Sequence, residues 1–198
     1  MSILTIQPSD IDALIQQSGP NTNSGANAYL LIYPNVDDII RSILKFDFSA
    51  LPAGAIISAA TLSLYFIGNF VNSPDGRTYW AYELTQTGWV ELEATWNSYK
   101  TGSVWAAAGG DYITDNGASV VMPTQGHWVD WNVLALVQHF QSAHAKIAHF
   151  LIRDGTEGVE VQKGAYLCSN NYTTDPTLCP KLVITYTLAG GSDFFQLF

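Results

Sequence analysis

Hydrophobic and polar residues alternate along most of the chain with a period of two, the pattern of β-strands that bury one face. In the segment 60–68, ATLSLYFIG, the even-numbered residues up to Phe66 are apolar and are expected to face a core. In the segment 42–48, SILKFDF, Leu44 and the two phenylalanines should point inward, whereas the lysine and the aspartate should face water. The same pattern predicts further strands at ALIQQ (13–17), AYLLIY (28–33), TYWAYEL (78–84), HWVDW (127–131), AHFLIR (148–153), VEVQ (159–162) and KLVITYTL (181–188).

Clusters of Gly, Pro, Asn and Asp separate these short strands, as in GPNTNSGAN at 19–27 and DGTEG at 154–158. Many short strands with turn signals between them are typical of an antiparallel sandwich. One stretch departs from the pattern, because apolar residues recur at helical spacing in NVLALVQHFQSAH, with Asn132 placed as a cap. The sequence therefore predicts an all-β fold, an antiparallel, jelly-roll-like β-sandwich with one short helix packed on it.

The chain is expected to form one module over residues 1–189, followed by an apolar tail at 190–198. Four of the last five residues are large and apolar, and they follow a Gly-Gly joint: Phe194, Phe195, Leu197 and Phe198. A solvated tail rarely has this composition. We expect the tail to dock on another subunit of a larger assembly, and the alternative is that it folds back on its own sandwich.

The charge of the chain limits its partners. The 198 residues carry a formal net charge of −9, with eight Lys and Arg residues scattered singly. This field repels phosphate backbones, so we expect no nucleic acid partner, and any glycan that binds should be neutral or weakly charged. The sequence has neither a signal peptide nor an apolar run long enough to span a bilayer, so membrane insertion is not expected.

The two cysteines leave two alternatives open. Cys168 and Cys179 are separated by ten residues in LCSNNYTTDPTLC. A disulfide could close this span if the fold brings them together, and the other alternative is a pair of free thiols.

Several segments, in order and over nearly the full length, resemble a known β-sandwich family. They are DIDALIQQSGPNTNSGANAYLLIY (10–33), RSILKFDFSALPAGAIISAATLSLY (41–65), EATWNSYKTGSVWAAAGGDY (93–112), HWVDWNVLALVQHF (127–140) and PKLVITY (180–186). The chain is similar to the DNRLRE-type domains, a family that also includes carbohydrate-binding module family 96. The resemblance implies a β-sandwich, carbohydrate binding, and a structural role for Trp96 as a plug across an open edge of the core.

Aromatic residues supply the candidate contacts for a sugar, because sugar rings stack on flat aromatic faces. We interpret TYWAYEL as a strand in which Trp80 faces away from Tyr79 and Tyr82, so that one set points outward if the other lies in the core. The predicted loop at 94–112 adds a tryptophan and a tyrosine beside a Gly-Gly-Asp turn. The candidate carbohydrate-binding residues are Tyr79, Trp80, Tyr82, Trp105 and Tyr112. The alternative is that the core and the loops together cover both faces of this strand.

No motif indicates catalysis or a cofactor. The chain has no HExxH, GxSxG or P-loop sequence, and His139 and His144 are five residues apart, off a common helical face. The carboxylate pairs Asp37–Asp38 and Glu91–Glu93 suit a solvated face in an acidic protein. We therefore expect no enzyme activity, no metal site and no cofactor, and a structural calcium ion lacks a supporting motif.

These observations lead to the hypothesis of a non-catalytic interaction module with a carbohydrate-binding-module-like fold, most simply a phage virion protein that decorates a capsid or tail surface or serves in adhesion. Such a protein would be made in the cytoplasm without a signal peptide. Two other functions are retained as alternatives, a free-standing carbohydrate-binding protein and a polysaccharide-cleaving enzyme.

Overall fold

The alternating segments form strands with the expected buried faces. The computed structural model describes residues 1–188, which form thirteen β-strands, one α-helix and one short 3-10 helix. Ala60, Leu62, Leu64 and Phe66 are each at most 1% exposed. The predicted all-β, antiparallel sandwich-like fold with one short helix is confirmed. The predicted tail at 190–198 lies outside the described residues.

Two layers share one continuous, curled antiparallel sheet of eleven strands. The first layer, sheet A, contains β1 (Ser2–Ile6), β5 (Ala55–Val71), β10 (His127–Asn132), β12 (Lys163–Cys168) and β13 (Lys181–Leu188). The second layer, sheet B, contains β2 (Ile11–Gln16), β4 (Asp38–Asp47), β6 (Thr78–Leu84), β9 (Tyr112–Val121) and β11 (Ile147–Asp154).

A single strand joins the layers. β3 (Tyr29–Asn35) pairs with β12 through residues 29–32 and with β4 through residues 33–35. The inner faces of both sheets meet in the main core, which includes Leu62 and Leu182 from sheet A and Phe46 and Phe150 from sheet B. This burial of apolar side chains is the main stabilising contribution to the fold.

The long connection between β6 and β9, residues 85–111, forms a second apolar layer outside sheet B. It contains the small hairpin of β7 (Ser98–Lys100) and β8 (Ser103–Val104). Trp89, Trp96 and Trp105 from this connection pack against residues of β2, β4, β6 and β11 that face away from the main core. Sheet B is therefore covered on both faces over part of its area.

The helix α1 (Leu134–Ala143) packs on the core through Leu136, Val137 and Phe140, as its spacing predicts. Its cap differs from the prediction, because Val133 is the N-cap residue and Asn132 ends β10. The Asn132 side chain still accepts a hydrogen bond from the Leu134 N–H, at 3.3 Å.

Other sequence predictions were wrong at the level of single strands. VEVQ forms no strand, and its only ladder contact is an isolated bridge from Val159 to Asn35. β9 was not predicted, because residues 112–117 are exposed or half-buried and show no buried alternation. Cys168 and Cys179 are free, buried thiols, and burial raises the pKa of Cys168 to about 12.

Candidate functional site

The strand β6 places its aromatic side chains differently from the prediction. Tyr79 is fully buried in the main core. Trp80 and Tyr82 lie together on the opposite, outer face, because residues two apart in a strand share a face. The predicted division, with Tyr79 and Tyr82 on one face, was wrong, and Tyr79 has no ring face to offer a ligand.

Trp105 is also interior, at 3% exposure. Its Nε1 donates a hydrogen bond to the Thr95 carbonyl at 2.8 Å, within the layer that covers sheet B. Trp96 lies in the same layer, with the Arg41 guanidinium 5.2 Å from its ring centroid. Both indoles stabilise the long connection, and neither presents a face to solvent.

The remaining predicted residues form an ordered stack, here called the aromatic ladder: Trp80, Tyr82 and Tyr112. The ring centroids of Trp80 and Tyr82 are 5.4 Å apart with an interplanar angle of 8°, and those of Tyr82 and Tyr112 are 5.3 Å apart at 19°. Gly117 permits this packing, because a Cβ there would lie 2.4 Å from the Tyr82 ring. The stack covers both faces of Tyr82 and one face each of Trp80 and Tyr112.

Charged groups fix the end of the ladder. The Glu157 carboxylate pairs with Arg41 at 2.7 Å and with Arg153 at 3.0 Å. Arg153 also donates a hydrogen bond to the Tyr112 hydroxyl, and both guanidinium groups lie within 5.6 Å of the Tyr112 ring centroid. The hydroxyl and the ring of Tyr112 are therefore both in contact with arginine side chains of the protein itself.

A cavity of about 300 Å³ borders the edge of Tyr112 and is lined by the turn at 106–113 and by Thr85. Its carboxylate, Asp111, accepts hydrogen bonds from the Ala106 and Ala107 N–H groups at 2.9 and 2.7 Å. The carboxylate of this cavity is therefore hydrogen-bonded to the backbone of its own loop.

A second surface lies on the outer face of sheet A and was not predicted. This tyrosine groove, of about 320 Å³, is lined by Tyr29, Ile67, Gly68 and Tyr166. The two tyrosine ring centroids are 5.7 Å apart at an interplanar angle of 62°, and Tyr29 is 43% exposed. Gly68 pairs with Tyr166 across the sheet, and a Cβ added at Gly68 would meet no atom within 4 Å. The missing side chain keeps the groove open.

The groove has a rigid aromatic base. Tyr166 packs edge-on against Phe70 at 5.5 Å, and Phe70 packs edge-on against Tyr33 at 4.8 Å. Tyr172 lies 6.0 Å from Tyr29 on the other side. None of the four lining residues is charged. The sequence hinted at this surface only through the aromatic residues themselves, because the register that joins β12 to both β3 and β5 is a property of the folded sheet.

A third cluster brings together Glu83 of β6 and two histidines at the end of α1. The Glu83 carboxylate lies 3.3 Å from Nε2 of His139 and 3.0 Å from Nε2 of His144. The helical spacing argument does not apply to these histidines, because α1 ends at Ala143 and the next turn contains Ala145 and Lys146 at positive φ. His144 thereby returns to the side of His139, with ring centroids 5.4 Å apart.

Among residues 1–188, no helix is long and apolar enough to cross a membrane. No curated protein matches the chain. The family model for carbohydrate-binding module family 96 matches residues 3–186, which include both sheets, the helix and the tyrosine groove. The resemblance in the sequence is thus confirmed over nearly the whole chain, and the protein belongs to carbohydrate-binding module family 96.

Proposed function

We propose that this protein is a non-catalytic carbohydrate-binding module and that the tyrosine groove is its contact surface. The observation that carries the proposal is the half-exposed pair Tyr29 and Tyr166 on either side of the space opened by Gly68. Membership in a carbohydrate-binding family supports the ligand class.

The chemistry of the groove suits a neutral sugar. Aromatic walls can stack on the C–H face of a pyranose ring, and the tyrosine hydroxyls can exchange hydrogen bonds with sugar hydroxyls. The lining contains no cation to pair with a uronate or a sulfate. The net charge of −9 further disfavours polyanions. We therefore propose neutral or weakly charged glycans as ligands.

The direct test is a substitution that fills the groove. Gly68→Val adds a branched side chain where the structure has free space, at a β-strand position without positive φ. Ala59→Val is the matched control, because Ala59 is an exposed residue of the same strand outside the groove. We expect Gly68→Val and Tyr29→Ala each to weaken binding to a neutral polysaccharide at least tenfold, roughly the loss of one good contact, while Ala59→Val binds as the wild type does.

Binding should be measured by affinity electrophoresis and calorimetry on a panel that includes neutral glucans, xylans and mannans together with alginate and sulfated glycans. Binding confined to the acidic members would contradict the proposed ligand class. Equal binding by the wild type and Gly68→Val would exclude the groove.

The aromatic ladder is a second candidate surface because Trp80 and Tyr82 lie together, half-buried, on the outer face of sheet B. Tyr82→Ala opens the stack between Trp80 and Tyr112 and tests it in the same assay. Loss of binding in this variant, with retention in Gly68→Val, would assign the contact to the ladder instead.

The absence of catalysis is also a proposal, which rests on the family and on the lack of a catalytic motif in the sequence. A screen for reducing ends and unsaturated products on the same polysaccharides checks it. Turnover that follows the purified protein through two chromatographic steps would assign an enzyme.

Attachment to a particle, such as the surface of a phage virion, is a further proposal. It rests on the four large apolar side chains among residues 194–198 of the sequence. Deletion of residues 192–198 should leave glycan binding unchanged and abolish co-sedimentation with the particle or with partner subunits. Normal co-sedimentation of the shortened chain would remove the tail from the proposal.

A further inference from the structure

We infer that Glu83, His139 and His144 form a binding site for a divalent transition metal, with Zn²⁺ the best match. The three potential ligand atoms all lie within 4.8 Å of one another. Two imidazole nitrogens and a carboxylate are a ligand set that zinc accepts, with a further position left for water. This site is built from β6 and the end of α1, apart from the strands that form the tyrosine groove.

The distances already approach those of a coordination sphere. In a tetrahedral zinc site with bonds of about 2.0–2.1 Å, neighbouring ligand atoms are about 3.3 Å apart. Nε2 of His139 lies 3.3 Å from Oε2 of Glu83, and Nε2 of His144 lies 3.0 Å from Oε1, so each histidine contacts a different oxygen of the carboxylate. All three ligand atoms lie within 4.8 Å of one another, so a side-chain movement of about 1.5 Å or less would bring them to tetrahedral spacing.

Burial and access also suit an ion. The Glu83 side chain is 6% exposed, so its charge needs a partner, whereas His139 and His144 are 38% and 28% exposed and leave a path from solvent. Within residues 1–188, the ion-pair partners of Glu83 are these two histidines. Phe140 packs against both imidazoles, with centroids 6.2 and 5.7 Å away, and limits their movement.

The nature of the ligands selects the metal. Imidazole nitrogen favours zinc and its transition-metal neighbours, whereas calcium and magnesium require mainly oxygen ligands. Bound metal would connect the end of α1 to sheet B, so it would stabilise the folded state over the unfolded one.

The test is a titration of the full, tag-free and chelator-treated chain with ZnCl₂, followed by calorimetry and thermal unfolding. We expect one saturable site and no comparable binding of Ca²⁺. At a free Zn²⁺ concentration of about 100 times Kd, Tm should rise by roughly 5–10 °C. The variants His139→Ala, His144→Ala and Glu83→Gln should each weaken binding by about 100-fold or more, whereas His127→Ala, an exposed histidine of β10, should bind as the wild type does.

Substitution with Co²⁺ identifies the ligands independently of stability. Tetrahedral d–d bands that disappear in His139→Ala/His144→Ala support the site. A thiolate-to-cobalt charge-transfer band, with binding retained in this double variant, would place the metal at Cys168 and Cys179 and overturn the inference. Absence of Zn²⁺ binding in the wild type, with a folded protein by circular dichroism, would overturn it as well.

Discussion

Nε1 of Trp89 donates a hydrogen bond to Nδ1 of His149 at 3.1 Å, and both side chains are buried. The contact joins the long connection outside sheet B to the central strand β11. It requires a neutral imidazole, because only an unprotonated Nδ1 can accept. Burial supplies that condition by lowering the pKa of His149 to about 4.

Replacement of Trp89 by Phe keeps an aromatic ring but removes this donor. We expect the free energy of unfolding at neutral pH to fall by about 2–4 kcal/mol, from an unpaired buried nitrogen and a partly empty indole site. Urea unfolding measures the change. Trp128→Phe is the control, because Trp128 lies half-buried on the outer face of sheet A and should cost less than about 1 kcal/mol. Equal losses in both variants would contradict the proposed role of the hydrogen bond.

Tyr79→Phe should leave stability unchanged or raise it by up to about 1 kcal/mol. The Tyr79 hydroxyl is buried and has no hydrogen-bond partner within residues 1–188, so the fold bears the cost of its desolvation without compensation. Thermal unfolding checks the sign. A loss of more than about 1 kcal/mol would show that the hydroxyl has a partner, such as a bound water molecule. Glycan binding should not change, since the ring lies in the main core.

Gly109→Ala should destabilise the chain by about 3 kcal/mol or more, through positive φ and steric overlap together. Gly109 has φ of 89°, and an added Cβ would lie 2.7 Å from the Trp96 ring. Gly76→Ala is the matched control, because its φ of 77° is similar but a Cβ there has open space. The control should lose only about 1–2 kcal/mol, the cost of the backbone conformation. Chemical unfolding of the pair separates the two contributions, and equal losses would contradict the clash with Trp96.

Asp12→Asn should change how stability depends on pH. Asp12 is 1% exposed, and burial, reinforced by the nearby Glu91 carboxylate, raises its pKa from 3.8 to about 7. Between these two values the unfolded state releases the proton and the folded state keeps it. The Asp12 contribution is therefore complete below pH 3.8 and is lost as the pH rises to about 7.

The asparagine variant lacks this titration. We expect its stability relative to the wild type to improve by roughly 4–5 kcal/mol between acidic and weakly alkaline pH, at about 1.4 kcal/mol per pKa unit. Urea unfolding across this range gives the difference curve, and Asp130→Asn, at an exposed position of β10, is the control for the loss of a carboxylate. A flat curve for Asp12→Asn would mean that the pKa of Asp12 is the same in the folded and unfolded states, which would contradict the raised value.

The period-two pattern was sufficient to predict strands with one face in the core, because burial alone determines that alternation. It predicted β6 from Thr78 to Leu84 and β13 from Lys181 to Leu188 with their observed ends. It also located α1, whose apolar positions follow the helical period. These features depend on residues near one another in the sequence.

The proposed sites depend on residues that are distant in the sequence, which local patterns do not bring together. Tyr29 and Tyr166 meet only because β12 pairs with β3, and Trp105 is buried only because residues 85–111 fold over sheet B. The cluster at Glu83 depends on a helix end with two consecutive residues at positive φ, which no apolar period indicates. The division of faces in β6 was wrong for a simpler reason, because residues two apart in a strand share a face and Trp80 therefore lies beside Tyr82.

The pairing of β3 with strands of both sheets makes the register of one sheet depend on that of the other. Residues 29–32 belong to the hydrogen-bond ladder of sheet A, and the next three residues belong to that of sheet B. A shift of this strand by one residue would turn Tyr29 away from the groove and at the same time displace Ile40 from its partner Tyr33. Because the two ladders share this strand, a loss of register in one sheet would break hydrogen bonds of the other, so we expect the two sheets to unfold together.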